Sequence, residues 1–180
     1  MDPEGPAQGT GGPLSIDFAS SHDFGINQIS NKEKTYYANA QELRSGENSK
    51  YVLNYVQISN NLGLNGGWTL TVKLEGQFAN ATAQHKELTG SQIKFVNPTV
   101  TGKTEGVPPP SAAKEITLDP KGAESLVMSA KSAEGAGLWG TVDEMTKVEG
   151  KKVQKKQSYF PYYSRGNVKW NISDVPANNN

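Results

Sequence analysis

The chain has 180 residues, 34% hydrophobic, 8% aromatic and 20% charged, the length of one ordinary domain and far from the continuous apolar run of a membrane span. Eighteen Lys and Arg balance eighteen Asp and Glu, so no net field draws the chain to nucleic acid or to an anionic bilayer. The absence of cysteine excludes disulfides, thiolate metal sites and cysteine nucleophiles, and it leaves the compartment open. Only two histidines occur, His22 and His85, so a three-His zinc site is excluded and a His-based triad has few candidates.

From the N-terminus, Met1-Asp2-Pro3-Glu4 opens on acids with no apolar h-region after it. That start suits either a cytosolic protein or a processed or recombinant form. Residues 1–12, rich in Gly and Pro, are expected to form a flexible arm ahead of a single β domain over 13–177, with 178–180 a frayed tail. The first strand is expected at Leu14-Ser15-Ile16-Asp17-Phe18, where apolar residues recur two apart. Tyr51–Ser59 is nearly all apolar or aromatic on both parities and reads as a central strand. Trp68-Thr69-Leu70-Thr71-Val72-Lys73-Leu74 alternates cleanly, with Trp68, Leu70, Val72 and Leu74 on one face. Asn60–Gly67 between these strands is dense in residues that tolerate positive φ, which predicts a hairpin or a short connected pair.

Shorter strands are expected around Ile93 and Phe95, closed by Pro98, and around Ile116 and Leu118 before Asp119-Pro120. Leu126 and Met128 alternate after that turn, and Thr101–Ala113, with its three successive prolines, reads as a loop. Val168-Lys169-Trp170-Asn171-Ile172 repeats the strand pattern near the end. No segment holds helical spacing for 11 residues; a turn of helix is allowed only near Gln84–Leu88 or Gly122–Ser125. About seven to ten short strands separated by turn signals predict an all-β fold, a β-sandwich of short, mostly antiparallel strands with long loops and little helix.

Catalytic chemistry finds no pattern. Asp17 with Asp23 and Asp143 with Glu144 read as strand-face or turn carboxylates, and the regular spacing of a calcium loop is missing. His85, beside Lys86 and Glu87, reads as an exposed polar segment. The glycine clusters match no phosphate-binding spacing. The expectation is a non-enzyme with no catalytic residue, cofactor or metal. The most unusual composition is Lys147–Lys156, five lysines to one glutamate, followed by Tyr159-Phe160-Pro161-Tyr162-Tyr163-Ser164-Arg165. Tyr159, Phe160, Tyr162, Tyr163 and Arg165 are candidate ligand or partner contacts, since interfaces favour Tyr, Phe and Arg. The same stretch also reads as a solvated hairpin whose tyrosines flank the core.

Two strands share a construction: Trp68-Thr69-Leu70 and Trp170-Asn171-Ile172 each place a Trp and an aliphatic residue on one face. Around them, the chain resembles the WxL domain of Gram-positive bacterial surface proteins. The resemblance runs through Gly12–Phe18 with Asp23-Phe24-Gly25, then Tyr55–Asn61 into Gly66–Val72, then Leu88–Phe95, and ends in Val168-Lys169-Trp170-Asn171-Ile172-Ser173-Asp174-Val175-Pro176. Ile172 stands where the family usually has Leu. The resemblance implies a secreted protein held non-covalently on the cell wall, with peptidoglycan as ligand and a companion surface protein as a second partner. Zero net charge and the lack of a long apolar run separately lead to the expectation of no nucleic-acid partner and no membrane span in this chain. Trp68, Thr69, Leu70, Trp170, Asn171 and Ile172 are then the defining motif residues. By adjacency, Asp174, Thr69 and Asn171 are candidate ligand contacts, and the two Trp strands are expected either to pack side by side as a core or to offer rings to a ligand.

Overall fold

A computed structural model describes residues 9–25, 35–45, 48–63, 66–79, 86–87, 91–102, 104–142 and 168–174. Among these residues the fold is all-β, with twelve strands and no helix. In chain order they are β1 (Leu14–Ala19), β2 (Gln41–Ser45), β3 (Asn48–Val52), β4 (Tyr55–Asn60), β5 (Trp68–Leu74) and β6 (Lys94–Val96). They continue as β7 (Thr99–Gly102), β8 (Ser111–Ala112), β9 (Glu115–Thr117), β10 (Ser125–Ala130), β11 (Gly137–Val142) and β12 (Val168–Ser173).

Two four-stranded antiparallel sheets carry the core. One has the order β1-β4-β11-β7 and the other β12-β5-β10-β8; β2-β3 and β6-β9 form two small two-stranded sheets. Alternation explains the packing. Strand β4 turns Val56, Ile58 and Asn60 inward, and β5 buries Trp68, Leu70, Val72 and Leu74. These side chains join Ile16, Val127, Met128, Ala130 and Trp139 in one apolar cluster drawn from both large sheets.

Several expectations are corrected. Strands β4 and β5 do not pair as a hairpin; the chain crosses from one sheet to the other through the 60–67 segment. Both are inner strands with an apolar face, so each is used fully only when the two faces lie in opposite sheets across the core. The Thr101–Ala113 loop contains the end of β7 and the short β8. Gly122–Ser125 is not helical: after a turn at Pro120-Lys121, closed by Gly122 N–H to Asp119 O (2.9 Å), the chain runs without regular structure into β10, which starts at Ser125. Leu126 and Met128 do not share a face: a register shift between them buries Val127 and Met128 together and leaves Leu126 42% exposed. The Gln84–Leu88 alternative falls largely outside the described residues, as do His85, Asp143, Glu144 and the whole of Lys147–Arg165.

Strand β1 also carries a register shift, between Ile16 and Phe18. The intervening Asp17 accepts hydrogen bonds from Ser15 Oγ (2.9 Å), Ser59 Oγ (2.6 Å) and Gln57 Nε2 (3.3 Å). Its carboxylate therefore ties β1 to the outer face of β4 and has no arrangement that suggests chemistry. Within the 1–12 span, Thr10 is joined to β1: its N–H donates to Ile16 O (2.9 Å) and its Oγ1 accepts from Ile16 N (3.0 Å).

Candidate functional site: the paired Trp strands

The two Trp motifs, a hundred residues apart in the chain, occupy adjacent strands. Strand β12 pairs antiparallel with β5, with Ile172 opposite Leu70, Asn171 opposite Thr71, Trp170 opposite Val72 and Ser173 opposite Thr69. The aliphatic members of the two motifs are direct cross-strand partners on the core face, the unit from which sheets draw stability. On the other face lie Thr69, Thr71 and Lys73 from β5 and Lys169 and Asn171 from β12. Glu124 accepts from Thr71 Oγ1 at 3.0 Å beside them. Asp174 is exposed just past the end of β12.

The two Trp rings differ in environment. Trp68 is 0% exposed. Its indole N–H donates to Gly135 O (3.0 Å), and the buried Asn60 side-chain amide donates to the same oxygen (3.2 Å). A third tryptophan, Trp139 in β11, donates its indole N–H to Ala136 O at 2.8 Å. Two indoles thus hold consecutive carbonyls of the β10–β11 connection, so its buried polar groups are satisfied while the rings fill the core. Gly135 sits at φ 64°, and a Cβ there would come within 2.6 Å of Ala130 Cβ and 2.9 Å of Trp68 Nε1. Only glycine meets both demands.

Residues 1–176 match the family described as "WxL domain surface cell wall-binding". The chain belongs to the WxL domain family. No curated protein and no solved structure is matched. Membership places this WxL domain among surface proteins that associate with the cell wall. No helix among its described residues is long and apolar enough to cross a membrane. Among the described residues no cluster of His, Asp and Glu has the make-up of a metal site.

The second motif's ring is placed differently. Trp170 is half-buried and packs against the core beside Phe95, with ring centroids 5.9 Å apart. His22 also meets Phe95, in an edge-type contact with ring centroids 5.0 Å apart. These three rings, with Tyr55 and Thr141, line a small cavity of about 20 Å³ that draws on both large sheets. The backbone on either side of His22 is fastened. Ser20 and Tyr55 exchange two bonds (Ser20 N to Tyr55 O and Tyr55 N to Ser20 Oγ, both 2.9 Å). Asp23 binds Asn39 through its carbonyl (2.6 Å) and its carboxylate (2.9 Å). Burial lowers the His22 pKa from 6.5 to about 4, so the imidazole is neutral at neutral pH. Burial likewise raises the Tyr55 phenol above its ordinary value.

Sequence reasoning passed over Trp139, His22 and Gly135. A Gly-Ala-Gly-Leu-Trp-Gly run hides the strand that carries Trp139, because three glycines dilute the alternation. Nothing near His22 in the sequence announces Phe95 or Trp170.

Proposed function

We propose that this WxL domain is a non-catalytic module of a secreted protein, attached non-covalently to the peptidoglycan of a Gram-positive cell wall. The observation that carries the reading is the pairing of the two motif strands. With Trp68 and Leu70 inside the core and Ile172 packed on it, the motifs act as a rigid platform, and recognition falls to the groups around them. Among the described residues β12 is the edge of its sheet, so a polymer lying along it reaches both faces: Asn171 on the outer side, Trp170 on the inner, and Asp174 at the end. A scaffold that locks its own supporting side chains is what a preformed binding surface requires.

Co-sedimentation tests this. Purified protein is expected to pellet with insoluble Gram-positive walls and to stay in solution without them. Folded protein that remains soluble in the presence of walls overturns the reading.

Assembly with a companion surface protein is a second reading, and one observation favours it. The outer edge of β12 has no strand paired to it among the described residues, and such an edge accepts an extended peptide by backbone hydrogen bonding. In that case sedimentation is weak for the domain alone and rises when the companion is supplied. Tyr159, Phe160, Tyr162, Tyr163 and Arg165, the other candidates for that contact, lie outside the described residues.

A further inference from the structure

The outer face of the β5–β12 pair carries a charge arrangement that the fold does not call for. Lys73 and Lys169 are direct cross-strand partners. Both lie on the solvent side of their strands, since Val72 and Leu74 are buried and Val168 and Trp170 pack on the core. Directly opposed side chains on one face start about 4.5–5.5 Å apart, and like charges so placed destabilise a sheet. Elsewhere the described strands match opposite charges, Arg44 with Glu42 at 2.8 Å and Lys94 with Glu115 at 3.8 Å. Neither Lys73 nor Lys169 makes an ion pair among the described residues. The nearby acid Glu124 accepts from Thr71 Oγ1 instead, and Glu75 is exposed just past the end of β5. Two cationic side chains are thus set side by side at a cost, with their charge turned toward solvent.

The surroundings of the pair define the chemistry that would relieve this cost. Two ammonium groups side by side match an anion that offers two oxygens, one to each. Next along the face, Asn171 opposite Thr71 adds a side-chain amide that both donates and accepts. One row further, Ser173 faces Thr69, and Asp174 stands exposed at the end. The carboxylates of Glu75, Glu124 and Asp174 around the lysines oppose the successive charges of a long polyanion. The zero net charge of the chain supplies no wider field to offset that opposition. Such a face fits a single anionic group carried on an otherwise neutral chain of hydrogen-bonding units. In peptidoglycan the peptide branches answer that description, being amide chains with free carboxylates.

We propose that Lys73 and Lys169 together seat one carboxylate of the peptide part of the wall polymer, with the Asn171 amide bonding the adjoining peptide unit. This rests on the wall-binding reading above and names the part of the polymer that the face recognises. The repulsion between the two lysines in the unbound domain is relieved when the carboxylate lies between them.

The test sediments the full chain with three preparations of Gram-positive wall: untreated, stripped of phosphate polymers with hydrofluoric acid, and stripped and then amidated at its carboxylates. Stripped walls are expected to bind as well as untreated ones, and amidated walls about tenfold more weakly. The double variant Lys73→Gln, Lys169→Gln is expected to show the same tenfold loss on stripped walls. Lys50→Gln with Lys114→Gln, which removes the same charge from exposed positions on other strands, should pellet like the parent. Relief of the repulsion should leave the melting temperature of the Lys73, Lys169 variant unchanged or about 1–3 °C higher, so that lost pelleting is not lost folding. Equal pelleting with stripped and amidated walls overturns the carboxylate assignment and leaves wall attachment standing. Loss of pelleting on stripping overturns it in favour of a phosphodiester. A Lys73, Lys169 variant that pellets like the Lys50, Lys114 control removes the site from this face. Protein that pellets with none of the walls overturns the wall-binding reading and this inference with it.

Discussion

Leu70 of the first Trp motif and Ile172 of the second face each other directly across antiparallel strands β5 and β12. Leu70 is fully buried and Ile172 partly so, and both belong to the apolar mass between the sheets. The two motifs are thus halves of one structural feature, joined only when the chain has folded.

Unequal burial makes the two positions respond differently. Leu70→Ala is expected to cost about 2–5 kcal/mol, as deletion of a fully buried leucine does. Ile172→Ala should cost less, about 1–2 kcal/mol, since part of that side chain already meets solvent. Ile172→Leu, which restores the residue usual in the family, is expected to stay within about 1.5 kcal/mol of the starting stability. Urea unfolding of the three variants measures the order; an Ile172→Ala loss equal to that of Leu70→Ala would contradict it.

A second prediction concerns the node at Gly135 O. Trp68→Phe removes one of two donors to this oxygen and part of a buried ring, while Asn60 continues to donate. A loss of about 1–3 kcal/mol is expected, against about 3–5 kcal/mol for Trp68→Ala. Gly135→Ala should also destabilise, because it combines a left-handed backbone with contact against Ala130 and Trp68. Thermal melts check all three, and a Gly135→Ala variant as stable as the parent would exclude the close packing described.

His22 sets a pH dependence. Its folded pKa, about 4, lies below the ordinary 6.5, so between these values the unfolded chain holds more protons than the folded one. Stability therefore falls as pH drops through that window, and this contribution levels off below about pH 4. The full shift would correspond to about 3 kcal/mol, reduced toward about 2 kcal/mol because the ring is partly open to solvent. Asp23, next in the chain, is exposed and already engaged with Asn39 and the Gly25 N–H. Melting curves from pH 7 to pH 4 should slope less for His22→Gln than for the parent; parallel slopes would refute the assignment.

The outer face of β12 yields a functional prediction. Asn171→Ala and Asp174→Ala replace exposed groups, so melting temperatures should change little. Under the wall-binding proposal the double variant pellets with walls several-fold less than the parent. Unchanged pelleting would remove the outer face from recognition and leave the Trp170 side of the strand as the contact.

Legibility in the sequence followed the range of the forces involved. Alternation in Trp68–Leu74 and Val168–Ile172 reports side-chain direction, a local property, and both strands appear where the pattern places them. Alternation fails where a bulge intervenes: at Leu126–Met128 the pairing partner, not the spacing, decides which side chain turns inward. The surroundings of His22 were not legible at all, because Tyr55, Phe95, Thr141 and Trp170 come from four different strands that lie far from His22 and from one another in sequence.

By itself, the sequence determined the all-β class, the strands that carry the motifs and the kinship of the chain, since period-two patterning and motif order are written along the backbone. Only the tertiary structure decided that β4 and β5 part company into opposite sheets while β5 takes β12 as its neighbour. It alone decided that Trp68 lies inside while Trp170 borders a cavity. The reason is physical: a strand's pattern states that it needs a buried face, whereas the partner that buries it is selected by packing among all strands at once.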